Sequence, residues 1–148
     1  MKQRLWAIGV LLGCMLIASP PQAAEHEVRM LNQGPGGPMV FDPGFLKVEP
    51  GDTVHFLPVD SGHNSHAVLT PEGAAGWQGA IDEKLSVTLD QEGVYLYQCD
   101  PHAIMGMVGV IQVGAPKNLA AAKEKAASLS AGMAMNKNRL GDYLGQVQ

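Results

Sequence analysis

Cysteine, cations in the body of the chain, and long apolar runs are all scarce in these 148 residues. Cysteine occurs only at Cys14 and Cys99. If the segment holding Cys14 is removed as a leader, Cys99 has no disulfide partner, and stapling by disulfides is excluded. A lone thiol in an oxidising compartment tends to oxidise, and binding a metal as thiolate protects it; a buried structural thiol is the plainer alternative. Residues 25–115 hold three cations, Arg29, Lys47 and Lys84, against twelve carboxylates, a net charge of −9. Residues 116–148 hold five cations against two carboxylates, a net +3. So acidic a body excludes nucleic acid as a partner, because phosphates demand lysine and arginine. The one long apolar run, residues 5–18, is too short and too early to span a membrane. No internal repeat is present.

That early run is instead the core of a secretory leader over residues 1–24. Lys2 and Arg4 precede it, Pro20 and Pro21 break it, and Ala23-Ala24 offers a small-residue cleavage site, although Gln22 is a poor residue three places before the cut. A competing pattern, Leu11-Leu12-Gly13-Cys14, resembles a lipidation site at Cys14, but the apolar core continues past the cysteine. The expectation is export by a cleaved leader to the periplasm, with lipid anchoring at Cys14 as the minor alternative. The 124 residues that follow are enough to bury a real core.

Residues 25–115 read as an all-β domain. Short alternating runs stand at 26–31, 39–41, 45–48, 53–57, 66–69, 85–89, 94–99 and 108–113, separated by turn signals such as Glu49-Pro50-Gly51-Asp52 and Asp90-Gln91-Glu92-Gly93. Seven or eight such strands predict a β-sandwich or barrel. Residues 32–38 read as a loop by composition, and 70–80 as irregular chain that Trp77 could anchor. Residues 116–148 change character. Asn118 is placed to cap a helix running to Leu129, and residues 133–147 predict a second, weaker helix carrying Gly141 and Gly145. Met133 and Met135 are expected to be packing residues.

The densest chemistry lies between the last two strands: Cys99, His102, Met105 and Met107 fall within nine residues. Thiolate and thioether beside imidazole suit copper better than magnesium, calcium or manganese, and a blue-copper centre needs two imidazoles, a thiolate and a weak axial thioether. The second imidazole must come from His26, His55, His63 or His66. His55 alternates with Val54 and Phe56 and should face outward. His63 and His66 are three apart, so in extended chain they cannot both face one ion; the pattern does not choose between them, nor between Met105 and Met107.

Five stretches, E-V-R-M-L-N, M-V-F-D-P, L-K-V-E-P-G-D-T-V-H-F, G-V-Y-L-Y-Q-C-D-P-H and M-G-M-V-G-V-I-Q-V-G, together with G-H-N, are similar in order to the pseudoazurins, a family of cupredoxins. The resemblance covers the whole chain after the leader. It implies a Greek-key β-sandwich with two C-terminal α-helices packed on it. It implies one type 1 copper ion held by His63, Cys99, His102 and Met107, with the C-x2-H-x4-M spacing rather than the shorter one ending at Met105. It also implies that Asn32 accepts a hydrogen bond from the ring of the first ligand histidine, that Asn64 ties two loops together near the thiolate, and that Pro101 shapes the loop. The implied function is a monomeric periplasmic electron carrier, not an enzyme. Its electron enters and leaves at the edge of His102, within an apolar rim for which Met39, Pro101 and Ile104 are candidates. Partners would be redox proteins such as c-type cytochromes or a periplasmic reductase.

The chain departs from that family in one respect. Gln33, Ser61, Gln78 and Gln98 stand where lysines are expected around the patch, and Asp60 and Asp100 lie nearby. A neutral or basic partner face is therefore expected. Ala103-Ile104 replaces an aromatic-glycine pair. Copper storage or delivery would favour a methionine-rich cluster, which Met105 and Met107 alone do not make. A cysteine-nucleophile enzyme would need a third orienting group that the sequence does not offer. A zinc site of two histidines and a cysteine would leave the methionine spacing unexplained.

Overall fold

The computed structural model describes residues 23–148, so the leader core and Cys14 lie outside the described residues. Eight strands form two four-stranded sheets. The strands are β1 (Glu25–Gly34), β2 (Gly37–Asp42), β3 (Phe45–Val48), β4 (Asp52–Pro58), β5 (His66–Leu69), β6 (Leu85–Leu89), β7 (Gly93–Gln98) and β8 (Val108–Val113). One sheet has the order β2-β1-β4-β6 and the other β3-β8-β7-β5. The pairs β1–β4 and β3–β8 are parallel and the other pairs antiparallel. Two helices follow, α1 (Leu119–Gly132) and α2 (Arg139–Leu144). This is the all-β sandwich with C-terminal helices that the sequence pattern implies.

Alternation builds the interior. On β4, Asp52, Val54 and Phe56 are buried while Thr53 and His55 lie on the outer face, as a two-residue period requires. β7 is buried on both faces. Tyr95, Tyr97 and Cys99 point between the sheets, where they meet Phe41, Phe56, Trp77 and Ile111. Val94 and Leu96 point the other way, into a second core with Val110, Ala122, Ala126, Leu140 and Leu144. The helices thus cover the outer face of the second sheet. Each fully buried aliphatic side chain there contributes about 1.5–3 kcal/mol. Between the sheets Tyr97 makes edge contacts with Phe41 and Phe56 at centroid separations of 4.8 and 5.1 Å. Its ring needs Gly109, where a Cβ would sit 2.2 Å from the phenolic carbon.

Three boundaries differ from the sequence expectation. The 32–38 loop shrinks to a two-residue turn, Pro35-Gly36, because the β1–β2 ladder continues through Gln33↔Pro38 and Gly34↔Gly37. Asn118 stands at the start of α1 but makes no capping bond. Its side chain instead accepts the Val94 N–H at 2.6 Å and donates to the Val94 carbonyl at 2.9 Å, docking the helix on β7. The second helix is only six residues long. Residues 133–138 leave the helical path because Ala134 and Met135 donate their N–H groups to the Ile104 carbonyl and Asn136 takes a left-handed backbone, φ 51°. Met133 is core, as expected, whereas Met135 is 43 % exposed and is not a packing residue. The 70–80 segment carries no strand of its own. It is pinned by Trp77, whose indole N–H donates to Ser65 Oγ at 2.9 Å.

Candidate metal centre

The loop between β7 and β8 is closed by its own backbone. Cys99 donates its N–H to the Met107 carbonyl at 3.0 Å, and Met107 donates its N–H to the His102 carbonyl at 3.2 Å. Between them Asp100–Met105 form a 3-10 turn with Pro101 in its first turn, where a fixed φ and a missing N–H cost nothing. Gly106 ends the turn at φ 74°. A Cβ there would lie 2.8 Å from both Asn136 Cβ and the Met135 carbonyl, so the position demands glycine twice over. The result is a tight loop that sets Cys99 and His102 on one side and returns the chain with Met107 buried.

A second segment supplies the other imidazole. His63 lies in the β4–β5 loop, and its Nδ1 is 3.7 Å from Cys99 Sγ. His102 Nδ1 lies 3.4 Å from the same sulfur. One donor atom from each of the three residues can be chosen so that all lie within 4.8 Å of one another. Donors held about 2.0–2.3 Å from a shared ion at trigonal or tetrahedral angles are about 3.5–3.8 Å apart. Both sulfur–nitrogen distances match that spacing, and the three groups could hold one metal ion. Met107 is fully buried in the same core as Cys99, while Met105 is only half-buried and lies outside both cores.

The other three histidines are engaged elsewhere. His26 Nε2 pairs with Asp52 at 2.8 Å, and His55 Nδ1 with Ser86 Oγ at 2.7 Å on the outer face of its sheet. His66 Nδ1 binds Asp100 Oδ1 at 2.9 Å. Of the two histidines left open on pattern alone, the chain sets the His63 ring against Cys99 and the His66 ring on a carboxylate.

Surrounding groups orient the donors. Asn32 Oδ1 accepts from His63 Nε2 at 3.0 Å, which leaves Nδ1 with its lone pair toward Cys99. Asn64 bridges the two segments: its side-chain oxygen accepts the Asp100 N–H at 2.8 Å, and its amide donates to Asp100 Oδ2 at 2.9 Å and to the Gly79 carbonyl at 3.1 Å. Both asparagines do what the resemblance implied. Asp82 was not singled out in the sequence, yet its N–H binds the His63 carbonyl at 2.9 Å and its carboxylate takes the Gly62 N–H. Arg139 and Asn136, which bond to the Gly106 and Met105 carbonyls, were also missed. They lie some thirty residues from the loop, and no local pattern joins them to it.

The electrostatics favour a cation at this point. Burial pushes the Cys99 thiol up, against the N–H groups of Asn64 and His102, which favour the thiolate. Burial, and then the His102 ring, lower the His63 pKa, opposed by Asp60 and Asp82. A metal ion bound between these groups would favour the thiolate over the buried thiol. Burial works against ionisation of Asp100, but bonds from Asn64, Gln98 and His66 hold its carboxyl down at about 2. Of the candidate rim residues, Pro101 is exposed and Ile104 is 61 % exposed, whereas Met39 is half-buried against the inter-sheet core.

Comparison with known proteins agrees with this geometry. Residues 28–114 match the family of copper binding proteins, plastocyanin/azurin family. A pseudoazurin of Paracoccus pantotrophus is 47 % identical over 112 residues, covering 74 % of this chain and 77 % of that one. One of Methylorubrum extorquens is 46 % identical over 107 residues, covering 70 % and 72 %. Among solved structures, native pseudoazurin from Hyphomicrobium denitrificans superimposes with a TM-score of 0.76 at 42 % identity, covering 84 % of this chain and 98 % of that one. Copper is accordingly the cofactor, and the family indicates a blue-copper electron carrier; its pseudoazurins are electron carriers rather than enzymes. Two histidines and a buried cysteine converging from two loops, on a sandwich that superimposes on solved pseudoazurins, place this chain in the plastocyanin/azurin family of copper-binding proteins, in its pseudoazurin branch.

Proposed function

We propose that His63, Cys99, His102 and Met107 hold one type 1 copper ion, and that the protein carries single electrons between periplasmic redox proteins through the edge of His102. The observation that supports this most directly is the placement of His63 Nδ1 and His102 Nδ1 at 3.7 and 3.4 Å from one buried thiol. Copper in such a site alternates between Cu(II) and Cu(I). The protein's part is to hold donors that suit both states, so that little moves when the electron arrives. Asn32 keeps His63 in the required tautomer, and Asn64 keeps the two donor segments in register. The leader, residues 1–24, directs export, the body 25–115 carries the metal, and residues 116–148 cover the second sheet.

His102 is the port because its ring is only half-buried while the Cys99 and His63 side chains are closed off from solvent. The exposed large apolar residues recorded among the described residues are Val59, Ile81, Ile104 and Met135. Each lies on a segment bonded to this end of the sandwich: Val59 precedes Asp60, which holds Asn32; Ile81 precedes Asp82, which holds His63; Met135 donates to Ile104. Exposed apolar patches commonly mark docking sites, and these four residues are the candidates for one here. Asp60, Asp82 and Asp100 flank them, so the partner face is neutral or basic, as on many c-type cytochromes. No described helix is long and apolar enough to cross a membrane.

The test is the visible and EPR spectrum of the copper-loaded protein. An intense blue band with a narrow copper hyperfine splitting is expected. A colourless Cu(II) form, or an ordinary type 2 signal, rejects the site. Loss of the blue band in Cys99→Ser, with copper still bound, is the matching expectation for the thiolate.

A further inference from the structure

Arg139 opens α2, is only 6 % exposed, and has no carboxylate among its hydrogen-bond partners. Its guanidinium bonds four backbone carbonyls. Nη1 donates to Met39 at 2.8 Å and to Gly106 at 2.6 Å, and Nη2 to Gly36 at 2.9 Å and Pro38 at 3.2 Å. Three of these lie on the β1–β2 hairpin, and the fourth is the carbonyl immediately before Met107. Asn136, three residues earlier, donates its side-chain amide to the Met105 carbonyl at 2.9 Å. Ala134 donates its N–H to the Ile104 carbonyl at 2.8 Å. Consecutive carbonyls of the metal loop, Ile104, Met105 and Gly106, are therefore all held by the segment joining the two helices and the first residue of α2.

Attaching a short helix to a sandwich does not require this. Leu140 and Leu144 already bury α2 in the second core, and an apolar side chain in place of Arg139 would avoid the desolvation of a cation. What an apolar residue cannot do is fix carbonyl directions. A planar fork of five N–H donors spans two backbone segments and locks both. The Gly106 carbonyl and the Met107 N–H belong to one planar peptide unit, so holding the first orients the second. That N–H in turn bonds the His102 carbonyl at 3.2 Å.

We propose that Arg139 and Asn136 are positioning residues of the metal loop: by holding the Gly106 and Met105 carbonyls they set how far the Met107 thioether stands from Cys99 and His102, and so tune the reduction potential. This rests on Met107 being the axial ligand. A weak axial thioether is the ligand through which such sites are tuned. Loosening the clamp lets the thioether withdraw and favours Cu(I).

Three variants of the full chain test it. Arg139→Lys keeps the charge but loses the fork. Asn136→Gly loses the amide while keeping a residue that tolerates φ 51°. Leu144→Ala weakens helix docking without touching the loop. In the copper-loaded proteins, the ratio of Cu(I) to Cu(II) affinity is expected to rise roughly tenfold in the first two and the ratio of the two main visible bands to change. Leu144→Ala should lower the melting temperature and leave both readings alone. In the copper-free proteins, amide exchange at Gly106 and Met107 should quicken roughly tenfold in the first two only, the scale of one lost hydrogen bond to a charged or buried donor. Unchanged potential and band ratio in folded Arg139→Lys overturn the proposal, as does an equal shift in Leu144→Ala. Should Arg139→Lys fail to fold, Asn136→Gly decides by the same readings. A colourless Cu(II) form of the unaltered chain overturns the ligand assignment and the tuning with it, while the copper-free exchange still decides whether the clamp holds the loop.

Discussion

Asn64→Ala is expected to loosen the fold and the metal loop together. The side chain is 4 % exposed and makes three hydrogen bonds, to the Asp100 N–H, Asp100 Oδ2 and the Gly79 carbonyl. The Asp100 carboxylate is a third exposed and recovers its lost bond from water. The bonds to the Asp100 N–H and the Gly79 carbonyl are part-buried, and leaving each unpaired costs about 1–1.5 kcal/mol. The total is about 2–3 kcal/mol, which for a domain of this size lowers the melting temperature by about 10 °C. The assay is thermal unfolding of the copper-free protein followed by circular dichroism, because bound metal would mask part of the loss by mass action. Asn64→Asp sharpens the result. It keeps an acceptor for the Asp100 N–H but sets one carboxylate against another, so above the Asp100 pKa it should be no more stable than the alanine variant. Copper affinity should fall by about 10–100-fold, since the two donor segments lose their cross-tie. A drop of less than about 3 °C in Asn64→Ala, on the same scale, would refute the reasoning and mean that water takes the place of the amide.

Three further outcomes are expected. In the chain that retains Ala24, the Asp52 pKa is lowered by N–H donors from Ala24 and Glu49 and by the His26 ring, so its contribution to stability is complete above the ordinary carboxylate value of 3.8 and is lost as pH falls below it; urea unfolding of that chain against pH should show the acid loss flattened in Asp52→Asn. Leu140→Ala should cost about 2–5 kcal/mol, because Leu140 is fully buried in the helix-side core, and equilibrium unfolding reads it directly. Electron transfer to a basic cytochrome should slow as ionic strength rises and slow further in Asp60→Lys and Asp82→Lys; stopped-flow rates indifferent to salt would remove the electrostatic part of the docking argument.

The resemblance in sequence named all three converging donors, His63, Cys99 and His102, and the two asparagines around them. Local pattern carried the strands through short runs bounded by turn signals, and it carried Cys99, His102 and a methionine, Met105 or Met107, because one short loop holds them all. It could not choose His63 over His66, because that depends on which ring the β4–β5 turn buries against a sulfur 36 residues away. It misplaced the helix boundaries for the same reason: Ala134, Met135 and Asn118 spend their hydrogen bonds on Ile104 and Val94 rather than on a helix.

What the amino-acid order determines by itself is an inventory with local geometry: which donors exist, how many residues separate them, and where the chain must extend or turn. The tertiary structure is what brings distant groups onto the loop, and Asp82, Asn136 and Arg139 became visible only there. Asn32, Asn64, Asp82, Asn136 and Arg139 reach it from other elements. Their bonds run between residues that only packing brings together, and no periodicity along the chain encodes a contact between one hydrogen-bonding side chain and a carbonyl thirty or a hundred residues away.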